Sequence, residues 1–246
     1  MMILIRKRTL ILLGYSLICL SSILSLVWLN AAQTLDFPVF SANTENSTPL
    51  IVIDPGHGGE DGGAVSSDGT ICESHLNLAV AQRVNDLFRF FGHPTLMTRT
   101  EDVSIYTEGN TIKARKVSDI QNRVALVNSA ESAVLLSIHQ NSLPSSPIPH
   151  GAQAFWNREN GAENLALQIQ NSLNTAINSD RPKQPRLIPE SIYLMNHVQA
   201  PAVLIECGFL SNREETLQLQ ESSYQTKLAA AITSGYLRCV SGEEVS

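Results

Sequence analysis

Three short apolar runs in this 246-residue chain each lead into a residue type that binds metal. Residues 51–53 run into Asp54-Pro55-Gly56-His57-Gly58-Gly59, residues 134–138 into His139, and residues 202–205 into Glu206. Apolar runs of this length, rich in Val, Ile and Leu and without polar alternation, fit strands buried on both faces. Segments of helical period separate them. The expected fold is therefore α/β: a three-layer, mixed and mostly parallel sheet flanked by helices, forming a single catalytic domain. In such sheets ligands collect beyond the carboxyl ends of the strands. That is where His57, His139 and Glu206 fall.

Local patterns fill in the remaining elements. A strand is expected at 50–53. A helix starts near Glu73, with Leu76, Ala79, Val80, Val84 and Leu87 on one face, and Gly92 stops it. A strand follows at 94–98, a helix at 119–128 and strands at 134–139 and 152–156. A helix at 162–177 comes next, then a proline-rich loop at 180–189 and a short strand at 193–195. The strand at 202–206 and a closing helix at 222–238 complete the domain.

The N-terminus differs in character. Arg6, Lys7 and Arg8 precede an apolar stretch at residues 9–29, long enough at roughly 20 residues to span a bilayer. Basic residues ahead of it predict a cytoplasmic N-terminus and an exported remainder. Asn30-Ala31-Ala32 fits a cleavage site poorly, which tilts the choice between signal peptide and membrane anchor towards the anchor. The expected organisation is signal peptide or anchor at 1–32, linker at 33–48, catalytic domain at 49–240 and tail at 241–246. The domain is thus extracytoplasmic, membrane-anchored or secreted. A net charge of −6 without a basic run argues against nucleic acid as partner. Outside the apolar segment the cysteines are Cys72, Cys207 and Cys239, an odd number with no CxxC pair, so no disulfide framework is expected. Cys72 and Cys207 each adjoin a candidate carboxylate and read as small buried hydrophobes.

The candidate site is His57, Glu73, His139 and Glu206. Glycines around His57 allow a sharp turn that aims the ring into a cleft, although a histidine also caps such turns. Glu73 opens a helix, where a carboxylate also favours the helix dipole. His139 ends an apolar strand. Glu206 sits where a carboxylate is costly unless paired or metal-linked; an arginine partner would be the structural alternative. Two histidines and a carboxylate around a metal, with a second carboxylate as base, make a zinc hydrolase. His75, His93 and His150 read as solvated surface, and His197 as a residue near the cleft. No Gly-x-Ser-x-Gly elbow and no His-Glu-x-x-His pair is present.

The run 51–63, Glu73 with Leu76-Asn77-Leu78-Ala79, Thr98-Arg99, Ser137-Ile138-His139-Gln140-Asn141 and the segment 201–212 resemble the zinc-dependent N-acetylmuramoyl-L-alanine amidases over residues 50–240. The segment 109–119 with Asn122-Arg123-Val124 is similar to the germination-specific, CwlD type. The resemblance implies one Zn2+ held by His57, Glu73 and His139, with Glu206 as catalytic glutamate. It implies cleavage of the amide between the lactyl group of N-acetylmuramic acid and L-alanine. The substrate would be peptidoglycan glycan strands with stem peptides, in spore cortex on the way to muramic δ-lactam, and the location the space between the forespore membranes. Cys207 and Gln140 replace the family's usual Gly and Ala, and an inhibitory helix after the third ligand is not expected. Asn141 and Arg123 are candidates for substrate contacts or for supporting the ligands. A protein activator stays open among the partners. A vegetative amidase, a stem-peptide zinc peptidase and a catalytically silent wall-binding protein are the competing readings.

Overall fold

The computed structural model describes residues 48–242. The expected signal or anchor segment, the linker up to residue 47 and residues 243–246 lie outside the described residues. Six strands form one sheet: β1 (Leu50–Pro55), β2 (Thr95–Met97), β3 (Ala133–Asn141), β4 (Gln153–Trp156), β5 (Arg186–Leu187) and β6 (Ala202–Phe209). Their order is β2-β1-β3-β6-β4-β5. All neighbours run parallel except β4, which pairs antiparallel with β6. The helices are α1 (Glu73–Phe90), α2 (Ile112–Asn128), α3 (Ala162–Ala176), α4 (Tyr193–His197), α5 (Arg213–Gln220) and α6 (Ser222–Ser241). This is the mixed, mostly parallel three-layer arrangement expected from the alternating pattern.

Side chains of a strand alternate between faces, and the central strands are apolar on both. Ile51, Ile53, Leu136, Ile138, Val203 and Ile205 pack with residues of α1, α3 and α6 such as Val80, Ile169 and Ile232. Val52, Leu135 and Leu204 face the other way, against Val127 of α2 and Leu194 and Met195 of α4. Burying one such Leu or Ile contributes about 1.5–3 kcal/mol. Continuing the alternation towards the carboxyl ends puts Asp54, Ser137, His139 and Glu206 on the α2/α4 face. The polar site is thus the far end of the smaller core.

Several elements differ from expectation. Helix α2 begins at Ile112, where the Thr111 side chain caps the Ala114 N–H at 3.1 Å. Its first turns are polar, so no apolar stripe announces them. Residues 193–195, expected as a strand, are instead the start of helix α4. One turn is too short to display a period, and consecutive Leu194 and Met195 both bury into the smaller core. Helix α5 is polar on most faces and is set by the Asn212 cap on Glu215 N–H at 3.0 Å. The closing helix runs on to Ser241, three residues beyond the expected 238.

Candidate metal centre and active site

Strand register builds the site. His139 on β3 stands directly opposite Glu206 on β6, and Gln153 on β4 stands opposite Glu206 from the other side. On the other flank Pro55 of β1 pairs with Ile138, so His57 lies just past the end of its strand. His57 has φ +61°, and among the described residues it is the one non-glycine with positive φ. Such a conformation costs about 1–2 kcal/mol in an L-residue and persists where the surroundings enforce it. Here the His57 carbonyl accepts a bond from Arg123 Nη2 at 2.8 Å. Two glycines allow the rings to close in. A Cβ on Gly56 would run into the His139 imidazole. One on Gly63 would lie 2.5 Å from Glu73 Oε2 and 2.8 Å from His57 Cδ2.

Glu73, the first residue of α1, reaches between the two rings. Its Oε1 lies 2.9 Å from His139 Nδ1 and its Oε2 3.4 Å from His57 Nε2. Ligand atoms of His57, Glu73 and His139 all lie within 4.8 Å of one another. Two imidazoles and one carboxylate at this spacing fit a three-ligand divalent metal site that keeps a position open. Glu73 is anchored by N–H donors from Ala64 at 2.8 Å and Gln140 at 3.1 Å, and by Asn77 Nδ2 at 3.2 Å. Burial opposes its charge, but the two imidazoles outweigh this and hold the carboxyl well below the usual range. His57 turns Nδ1 to Asp61 Oδ2 at 2.9 Å, and Lys116 Nζ lies 2.7 Å from Asp61 Oδ1. Burial alone would lower the His57 pKa; Asp61 and Glu73 instead raise it to about 9.

Glu206 is unlike the other carboxylates. Its Oε2 is buried with no hydrogen-bond partner. No arginine pairs with it among the described residues, so the structural alternative for this glutamate fails. Burial, with Glu73 nearby, pushes its pKa up to about 7 against the opposing pull of His139, His57 and Lys183. It shares a cavity of about 360 Å³ with His57, Glu73, His139, Lys116 and Tyr193.

Arg123, a candidate for substrate contact, is committed elsewhere. It is 1% exposed. Its guanidinium bonds Asp119 at 2.8 and 3.5 Å, Asp54 at 2.5 Å and the carbonyls of Pro55 and His57 at 3.0 and 2.8 Å. Its donors are engaged by protein, and it supports the His57 turn from the wall of the same cavity. Asn141 lies beyond a register shift after His139 and is not among the cavity's lining residues. His197 does not line the cavity either; it stacks on Tyr193, ring centroids 3.7 Å apart. His93, expected as solvated surface, is half-buried with its ring edge-on to Phe88 and Tyr236. His75 is exposed and pairs with Asp102, and His150 is half-buried and pairs with Asp180. No cysteine belongs to the metal cluster among the described residues; Cys207 is buried, which raises its thiol pKa, and Cys72 is half-buried. Sequence patterns missed Asp61, Asp54 and Tyr193. Only Asp61 carried a local signal, lying four residues after His57 in a glycine-rich turn.

Comparison with known proteins agrees with this geometry. The family model described as Amidase_3, N-acetylmuramoyl-L-alanine amidase, matches residues 51–238. The chain is 40% identical over 194 residues to the germination-specific N-acetylmuramoyl-L-alanine amidase of Bacillus subtilis, covering 78% of this chain and 80% of that one. The CwlD amidase of Clostridioides difficile, solved in complex with the GerS lipoprotein, superposes with a TM-score of 0.76 at 31% identity, over 79% of this chain and 100% of that one. A second amidase, from Clostridium difficile 630, gives 0.69 at 26% identity, over 81% and 100%. From the sheet register through the His-Glu-His cluster to these matches, the chain belongs to the N-acetylmuramoyl-L-alanine amidase family.

Proposed function

We propose that this amidase is zinc-dependent and acts on spore-cortex peptidoglycan, with His57, Glu73 and His139 as ligands and Glu206 as the catalytic carboxylate. The observation that carries the residue roles is the orphaned Glu206 oxygen one strand away from the three-ligand cluster. Zinc held by His57, Glu73 and His139 would supply Lewis acidity for the lactyl–L-alanine carbonyl and for water. Glu206 Oε2, free of protein partners, takes the proton of the attacking water and returns it to the departing L-alanine nitrogen. Glu73 is held by Asn77 and two backbone N–H groups, so it neither rotates nor competes as a base. Asp61 at Nδ1 fixes the His57 ring with Nε2 on the Glu73 side, where it would be free to hold the metal.

The cortex assignment is supported by the name of the Bacillus subtilis relative. In that role the product is glycan bearing peptide-free muramic acid, which a separate deacetylase carries to δ-lactam. The partner of the Clostridioides difficile relative supports a lipoprotein-type activator here. The basic-then-apolar N-terminus supports an extracytoplasmic, membrane-attached location between the forespore membranes.

The test is mass spectrometry of purified glycan incubated with the full chain, with and without zinc. Zinc-dependent release of intact stem peptide with a free L-alanine amine is expected; cleavage within the peptide would replace the proposal. Glu206→Gln is expected to lose at least about 100-fold in turnover while retaining stoichiometric zinc by elemental analysis. Near-normal turnover in that variant would remove Glu206 from the mechanism.

A further inference from the structure

The row of side chains on the active face does not stop at Glu206. Gln153, its partner on β4, continues it and also lines a second open cavity of about 560 Å³. His150, Arg181, Lys183, Arg186 and Phe209 line the same cavity, and no carboxylate does. On a chain of net charge −6 this is a local reversal of sign. The cations are of two kinds. Lys183 is built in: Nζ donates to the Gly151 carbonyl at 2.5 Å and sits 4.8 Å above the Phe209 ring. Its backbone is tied to Asn174 through both N–H, at 3.0 Å, and carbonyl, at 2.8 Å. Gln153 Nε2 adds a bond to the Gln184 carbonyl at 2.8 Å. The loop is therefore fixed on the sheet edge. Arg181 and Arg186, by contrast, are exposed, and their guanidinium groups have neither hydrogen bond nor ion pair within the described residues.

We propose that this cleft is a subsite for the carboxylates of the stem peptide, with Arg181 and Arg186 as the pairing cations. The proposal rests on the amidase reading of the neighbouring centre. Chain geometry supports it. Adjacent strands lie about 4.8 Å apart, so His139 to Gln153, two strands on, spans roughly 10 Å. An extended peptide advances about 3.3–3.6 Å per residue. With its first amide at the metal, a stem peptide running along this row brings its third residue and those beyond it to the cleft. Two unpaired guanidiniums suit carboxylates there, bidentate and charge-assisted. They would select peptides that keep their carboxyl groups free.

The test uses the zinc-loaded full chain and two preparations of one glycan, with stem-peptide carboxylates free or converted to amides. The quantity read is the ratio of kcat/KM for stem-peptide release from the two. The wild type is expected to prefer the free form by about tenfold, chiefly through KM, and less so at high salt. In R181Q/R186Q the ratio falls towards one, and R181K/R186K restores part of it, which a purely structural role would not produce. An unchanged ratio in R181Q/R186Q, or no preference in the wild type, overturns the subsite while leaving the amidase intact. Release from neither preparation by the wild type, with the lipoprotein-type activator also supplied, overturns the zinc-amidase reading and the subsite with it.

Discussion

His57 shows how much one residue depends on its immediate partners. A ring in left-handed backbone, 5.1 Å from a second imidazole, is held in direction by Asp61 at Nδ1, 2.9 Å away, and by Glu73 on the Nε2 side at 3.4 Å. Asp61→Asn keeps the shape but removes the charge that would make Nε2 a good ligand in the proposed zinc site. Zinc affinity is expected to fall about 10- to 100-fold, read by competition with a chelator; unchanged affinity would leave Asp61 without this role. Glu206 stood out because a carboxylate ending an apolar strand is costly without a purpose, and the structure leaves one of its oxygens without a partner. For Arg123 the sequence left two roles open, substrate contact or support of the ligands, because no local pattern reveals how many of an arginine's donors are already satisfied; its bond to the His57 carbonyl fits the second.

At the scale of elements, the tie between β1 and α2 governs the site. Asp54 on β1 bonds Arg123 of α2, Thr98 Oγ1 at 2.7 Å and Ser137 Oγ at 2.7 Å, all buried. Arg123→Met leaves that carboxylate without its cation and is expected to cost about 3–5 kcal/mol in denaturant unfolding. A loss below about 1 kcal/mol would show the pair to be dispensable. Burial would raise the Asp54 pKa, but Arg123 and the two hydroxyls bring it down to about 2 from 3.8. A carboxylate whose pKa is lowered by folding stabilises above its unfolded value and loses that contribution as pH falls through its folded one. Asp54 thus contributes about 2 kcal/mol above pH 4, fading towards pH 2. The stability difference between metal-free wild type and Asp54→Asn is expected to shrink from pH 5 to pH 2; a constant difference would contradict the linkage. Helix α4 makes the complementary point. Its single turn is selected by the burial of Leu194 and Met195 against the sheet, a tertiary preference that a strand-like reading of 193–195 could not anticipate.

For the molecule as a whole, the candidate metal site joins three separate parts of the chain: the turn after β1, the start of α1 and the end of β3. Zinc held there binds the folded state alone, so at 100 times its dissociation constant it adds about 2.7 kcal/mol. For a domain of this size the melting temperature is expected to rise by roughly 5–10 °C between chelated and zinc-loaded protein. No shift would mean that the three side chains do not bind zinc in solution. The sequence by itself determined the layer architecture and singled out the candidate residues His57, Glu73 and His139 that the structure brings together. Apolar runs, helical periods and glycine turns are local consequences of burial and backbone sterics, and each candidate ligand sits at the end of one. Only the tertiary structure decided that His139 faces Glu206, that Arg123 is spent on Asp54, Asp119 and the His57 turn, and that residues 150, 181, 183 and 186 share one basic cleft. Those facts depend on strand register and on contacts between residues far apart in the chain. They are set by the packing of whole elements, which no local pattern encodes.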